Sequence, residues 1–363
     1  MTPEPAVVDC DVHHGWASRA DLLPYLDEGW REFATSGAPS FILPYTARGR
    51  FANPSDHFRE GSYPPAGLPG TDLEFTLSDH IESCGIAAAI LTHGEARRVD
   101  TNPNPYYAAA VAQAANDWLV QECLPRDQRL FGSIVVSNQH PELAADEVRR
   151  MAANPRMKQV LMADNGVGKP FGHPLFDPIH EAASASGLPI AIHAPSSGGV
   201  TPAAAAQGTI NYFLDFYTLI PETFMSHLTS FITHGVFERY PTLRLVFLES
   251  GATWIAPFLW RLDANYKGLR REIPWTQRLP SEYLQSHVRV SVGPLETGQD
   301  LERWLSLVES MGGAEILVYG SGYPQWDSVS IPELRAVLPE SWLRQVLSEN
   351  SRDWFGLPVT QTA

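Results

Sequence analysis

Cysteine is scarce in this chain: Cys10, Cys84 and Cys123 are the only three in 363 residues, and no two form a C-x-x-C pair. An odd, unpaired set excludes a disulfide framework and a thiolate zinc site, and it points to reduced thiols in a cytoplasmic protein. Basic runs are missing too. Lys and Arg number 26 against 41 Asp and Glu, for a formal charge of −15. Contacts to a phosphate backbone need clustered positive charge, so nucleic acid is excluded as a partner. No apolar stretch approaches the ~20 residues that span a bilayer, so no membrane partner is expected. The opening M-T-P-E-P-A has neither the basic nor the apolar part of a signal peptide. No strand-like run leads into G-x-G-x-x-G, and no G-x-S-x-G elbow occurs, which argues against a dinucleotide fold and a hydrolase nucleophile turn.

What is present is a soluble composition, 44% hydrophobic and 18% charged, in a length that suits one large domain over 1–363. Thirty prolines and ten tryptophans indicate long, ordered loops. Short β-branched runs at 6–10, 85–91, 130–136, 159–163, 188–193, 243–248, 288–292 and 316–319 read as strands. Helical patterns fall between them at 104–122, 141–153, 177–186, 222–239, 254–271, 300–311 and 339–348. Eight β–α repeats predict an α/β fold, a distorted (β/α)8 TIM barrel, with a doubly wound open sheet as the alternative. Residues 18–71, rich in Pro, Gly and aromatics, break the alternation and read as a lid or dimer contact inserted after strand one. A second irregular stretch at 195–208 reads as a mobile gate.

In such a barrel the chemistry sits where strands finish. The first run, A-V-V-D-C-D-V-H-H, ends in alternating Asp9, Asp11 and His13, which a strand places on one face. Later ends deliver His93 and Glu95, Asn138 and His140, Asp164, His193, Glu249, Glu296, and finally G-S-G-Y-P-Q-W-D at 320–327. Unpaired buried charges are costly in a core, so this recurrence favours an active site. Other polar groups have plainer roles. Cys10 and His14 read as packed on the opposite face, Asp9 as a loop cap, and His227 and His234 as outer-face helical groups. Ser196 and Ser197 resemble no nucleophile.

Several stretches carry a resemblance. V-V-D-C-D-V-H at 7–13, L-P-I-A-I-H at 188–193, P-S-E-Y-L-Q-S-H-V-R-V at 280–290 and S-G-Y-P-Q-W-D at 321–327 flank the long block 235–263, G-V-F-E-R-Y-P-T-L-R-L-V-F-L-E-S-G-A-T-W-I-A-P-F-L-W-R-L-D. Together they resemble the amidohydrolase-related family, the decarboxylase-like branch of the amidohydrolase superfamily, over nearly the whole chain. The resemblance implies a barrel that is often dimeric, hence a homodimer here. It also implies one divalent metal, Zn or Mn, held by the ends of strands one, five and eight. Asp11, His13 and His193 take the metal places, Asp11 standing for the first histidine of the usual H-x-H pair. The family's strand-eight segment typically reads S-D-Y-P-H-W-D, and its aspartate is both ligand and base. Here that place is Gly322, and Gln325 replaces the following histidine. Three protein ligands and water can still form a zinc site.

Where the decarboxylases carry a strand-six histidine as proton donor, this chain has Glu249, which could donate if burial raised its pKa. The expected catalytic set is therefore Glu249, His193, Asp11 and His13. The expected pocket consists of His93, Asp164, Glu296, Tyr323, Gln325 and Trp326. Asp327 would replace the missing carboxylate only through a rearranged loop and is not assigned. The expected activity is lyase-type cleavage, decarboxylation or a related C–C or C–X step, on a small organic molecule. Metal-dependent hydrolysis of an amide, ester or lactone is the alternative, disfavoured by Gly322. A metal-free cyclase or isomerase of specialised metabolism and a catalytically silent binding protein also remain open.

Overall fold

The computed structural model describes residues 6–36, 53–54, 56–195, 211–298 and 300–358. Eight parallel strands follow one another in sequence order around a single sheet. They are β1 (Val7–His14), β2 (Ile86–His93), β3 (Leu130–Val135), β4 (Met157–Met162), β5 (Ile190–His193), β6 (Leu245–Leu248), β7 (Val288–Ser291) and β8 (Leu317–Val318). Because β8 is short, the residues after it complete the ring. Cys10 N donates to Tyr319 O at 2.9 Å, Gly322 N to Asp11 O at 3.0 Å and His13 N to Tyr323 O at 2.7 Å. The fold is a (β/α)8 TIM barrel.

The two-residue period of the strands sorts side chains into layers. Ile190 and Ile192 join a core with Ile179, Ala183 and Phe231 from the surrounding helices. Ala191 packs instead with Leu161, Val246, Leu248 and Val318 of other strands. His193, two residues beyond Ala191, therefore points into the barrel mouth.

Two boundaries differ from the expectation for physical reasons. β1 runs on to His14 because its polar end still pairs with β2, His14 opposite His93. Its register with β2 slips between Asp9 and Val12, an irregularity of the kind that re-aims side chains beside active sites. The helix expected from 222 begins earlier, as Phe213–Thr233, with Pro221 inside it. Buried Phe216, Ile220 and Phe224 hold that turn through the missing N–H. Gly235, at φ 64°, then ends it and starts the separate turn Val236–Arg239.

Of the insertion at 18–71, the described parts include the helices Arg19–Leu22 and Glu28–Thr35 and the segment 56–71. That last segment is tied to the loop after β8, where Arg59 N donates to Pro324 O at 3.0 Å and Trp326 N to His57 O at 3.1 Å. Apart from Pro195, the expected gate at 195–208, with Ser196 and Ser197, lies outside the described residues. Among the described residues no helix is long and apolar enough to cross a membrane.

Candidate active site

Asp11 and His13 from β1, His193 from β5 and Glu249 just after β6 meet at one point. One ligand atom from each lies within 4.8 Å of all the others. The two Nε2 atoms of His13 and His193 are 3.2 Å apart. Glu249 places Oε1 3.0 Å from His13 Nε2 and Oε2 3.5 Å from His193 Nε2. Asp11 completes the set, each oxygen 3.6 Å from one of the imidazoles. Two ligands sharing a metal at bond lengths of ~2.1 Å in a tetrahedron stand ~3.4 Å apart, so this spacing suits a divalent ion. Both Asp11 oxygens and Glu249 Oε1 are buried and accept no hydrogen bond. Orphaned buried carboxylate oxygens are costly, and a cation shared by two imidazoles and two carboxylates relieves that cost. The four residues could hold one divalent metal.

Glu249 was expected as a proton donor with a raised pKa, and the electrostatics run the other way. Burial pushes its carboxyl up, but His193 and His13 outweigh burial and hold it down at about 2. Burial likewise opposes ionisation of Asp11, and the same two imidazoles more than reverse it. His13 is pushed down by burial yet raised to about 9 by Asp11 and Glu249. Glu249 is thus an ionised acceptor. Its backbone sits at φ 55°, a conformation uncommon outside glycine. Ser291 Oγ accepts from its N–H at 3.0 Å and helps fix that turn.

The glycine in the strand-eight place has a steric partner. A Cβ added to Gly322 would lie 3.3 Å from Glu249 Oε1. The Glu249 carboxylate therefore fills the space toward which a side chain at 322 would project. The second carboxylate of the cluster thus comes from the turn after β6.

Of the expected pocket residues, Gln325 reaches the cluster, with Nε2 3.5 Å from His13 Nδ1. Trp326 lies half-exposed beside the Tyr217 ring. Tyr323 instead donates its OH to Asp79 at 2.8 Å and stacks on His80. His93 packs among His14, Trp16 and Trp118, its Nδ1 accepting from Ala96 N, because it leaves β2 on the outer face. Glu296 sits beneath Gly251 and accepts from Ala252 N, Thr253 N and Thr253 Oγ1 at 2.7–2.9 Å. That bracing shapes the turn behind Glu249 and leaves its carboxylate occupied. Asp164 is buried, and its backbone carbonyl accepts from Asn138, which also bonds Asp100.

The groups given plainer roles stand apart from the cluster, but His227, expected on an outer helical face, is buried against the Phe171 ring. His227 Nδ1 accepts from Phe171 N at 3.0 Å. Asp9 is bound by His80 and Ser321 rather than capping a loop. His14 lies on the far side of β1, where it lines a separate cavity of about 790 Å³ with Tyr25 and Trp118.

Three residues escaped the sequence. Arg97, in the turn Ala96–Thr101 after β2, places NH1 2.7 Å from His193 Nδ1 and 4.0 Å from Glu249 Oε2. A basic pair closely following a strand end was the available signal. Tyr217, from the helix Phe213–Thr233, donates a hydrogen bond to Asp327. Asp327 is raised to about 6 by burial and by the Glu249 charge. His57 arrives from the insertion.

A barrel with imidazoles and carboxylates gathered at its strand ends defines the class of (β/α)8 enzymes that place their chemistry there. The family model described as "Amidohydrolase" matches residues 8–357, and the chain belongs to that family. A gamma-resorcylate decarboxylase of Rhodococcus jostii (strain RHA1) is 23% identical over 255 residues, 65% of this chain and 75% of the relative. The 5-carboxyvanillate decarboxylase LigW of Sphingomonas paucimobilis superposes with a TM-score of 0.69 at 19% identity, over 98% of this chain and 100% of its own. A dihydroxybenzoic acid decarboxylase of Polaromonas sp. JS666, solved with manganese and 2-nitroresorcinol, gives 0.68 at 16% identity, over 98% of both chains.

Proposed function

We propose that this enzyme decarboxylates an aromatic carboxylic acid, with one divalent metal held by Asp11, His13, His193 and Glu249. One observation carries the reading: two imidazoles and two carboxylates, three of whose four oxygens are buried without a hydrogen bond, converge beside the Arg97 guanidinium. The decarboxylase relatives, one of them holding manganese, support the substrate class and the ion. When bound, such an ion supplies Lewis acidity and positive charge for an anionic substrate.

The chain's own residues account for the rest. Arg97 offers a planar, permanently charged fork for the incoming carboxylate, the pairing that guanidinium geometry favours. Glu249, ionised at neutral pH, keeps its place as an oxygen ligand and gives no proton. Asp327 is the acid. Its carboxyl, raised to about 6 and hydrogen-bonded by Tyr217, can carry a proton at weakly acidic pH. Transfer of that proton to the ring carbon bearing the carboxylate lets the C–C bonding pair return to the ring as carbon dioxide leaves. Half-exposed Trp326 and Tyr217 form an aromatic wall suited to a ring substrate.

The test is carbon dioxide release from 2,6-dihydroxybenzoate and 5-carboxyvanillate by manganese-loaded protein. Turnover of either, abolished by His193→Ala, is the expected result. Stoichiometric manganese with no turnover of any hydroxylated benzoate would overturn the reading. A homodimer, implied by the family resemblance and consistent with exposed Trp260 and Leu269 on one helix, is checked by sedimentation.

A further inference from the structure

The insertion delivers one imidazole, His57, whose Nδ1 has no hydrogen-bond partner among the described residues. The backbone around His57 is fixed from both sides. Its carbonyl accepts from Trp326 N at 3.1 Å, Arg59 N donates to Pro324 O at 3.0 Å, and Phe58 forms an antiparallel bridge with Gln325. Asp56 precedes it at φ 142°, a strained conformation. That strain is offset by Tyr63 OH at 2.9 Å from Asp56 Oδ2 and by the His57 N–H at 2.5 Å from Oδ1. Strain retained by so many bonds serves to aim the next side chain.

The ring stands edge-on to Phe58, and its Nδ1 is buried with no hydrogen-bond partner among the described residues. A buried polar atom left without a partner is costly, so its retention calls for a ligand. The charges acting on the ring besides Asp56 are those of Arg97, Glu249 and His13, three residues of the site. Burial, then Arg97, pushes its pKa down to about 4, so it is neutral and offers one donor and one acceptor. An anionic substituent has Arg97 to go to. A neutral imidazole matches a group that both gives and takes a hydrogen bond.

We infer that His57 is a specificity-determining residue that hydrogen-bonds a ring hydroxyl of the bound aromatic acid through Nδ1. This rests on the proposed function and names the feature of the substrate that the insertion reads. The strand ends hold the reacting carboxylate, and the insertion selects the ring's other substituents.

Calorimetric titration of manganese-loaded protein with benzoate and with 2-, 3- and 4-hydroxybenzoate and 2,6-dihydroxybenzoate tests it. Wild type should prefer at least one hydroxylated member over benzoate. His57→Ala should weaken that member by about ten-fold, the size of one buried hydrogen bond, while benzoate affinity and bound manganese stay within about two-fold. His57→Asn, which keeps a donor and an acceptor, should retain part of the preference, and it serves in place of the alanine variant if that variant does not fold. Equal weakening of all members, or no change in any, overturns the role of His57 and leaves the decarboxylase reading standing. Wild-type protein that binds none of the acids overturns both.

Discussion

Asp9 and Asp11 stand two residues apart on β1, on either side of its register slip, both buried, yet they meet opposite fates. Asp9 is saturated: His80 Nε2 lies at 2.8 Å, Ser321 N at 2.9 Å and Asp11 N at 3.2 Å from its oxygens. Asp11 has two imidazoles near it and no hydrogen bond on either oxygen. A buried carboxylate whose oxygens are all answered by protein donors is part of the scaffold. One left unanswered beside two imidazole nitrogens and a second carboxylate is arranged for something that arrives. The slip between them sends Asp9 toward His80 in the helical turn Leu77–Glu82 before β2, whereas Asp11 turns into the cluster with His13 and His193.

The largest way to break this contrast is Asp11→Asn. Loss of outer hydrogen-bond partners alone costs 10–100-fold in such sites, so removing a ligand charge should cost at least ~100-fold in activity. Bound metal should fall with it, by elemental analysis, while the melting temperature of the metal-free protein holds. Asp9→Ala should do the reverse. Leaving His80 without its buried partner should cost ~3–5 kcal/mol in denaturant unfolding, and metal content should stay near that of wild type in the protein that remains folded.

Gly322→Asp sharpens the comparison from the other side of the barrel. It places a carboxylate against Glu249 at a position with φ 68°, and the strain should cost ~1–3 kcal/mol. Metal retention measured across the Gly322→Asp and Glu249→Ala cycle should be non-additive, because the two carboxylates compete for one space. Additive losses would mean that Glu249 does not stand in for the strand-eight residue.

The smallest effect is one of pH. Burial lowers the His80 pKa, and its bond to Asp9 more than compensates, raising it from 6.5 to about 9. A raised folded pKa contributes stability that is complete below 6.5 and lost as pH climbs through about 9. The stability gap between wild type and His80→Gln should therefore narrow from pH 6.5 to 9.5, as followed by thermal unfolding. A constant gap would show that the bond does not depend on the His80 proton.

The strand run of apolar residues was legible because parallel barrel strands are buried on both faces and read as continuous hydrophobic segments. The strand ends were legible for the same reason, since a His or Asp that closes such a run has few places to point. That logic located Asp11, His13, His193 and Glu249 but misjudged His93 and Glu296. Both follow strands as Glu249 does. Which side of the rim a residue takes depends on a local turn, and sequence does not display the positive φ that turns Glu249 inward. Arg97 and His57 were invisible for a further reason, because each reaches the site from a connection whose path is set by what it docks against.

Sequence by itself determined the number and order of strands and the family, both of which follow from local pattern. Only the tertiary structure decided that Glu249 fills the space beside Gly322, that its carboxyl is held ionised, and that Arg97 and His57 share its surroundings. Those outcomes depend on distances between segments far apart in the chain, where a few ångströms separate a ligand from a bystander.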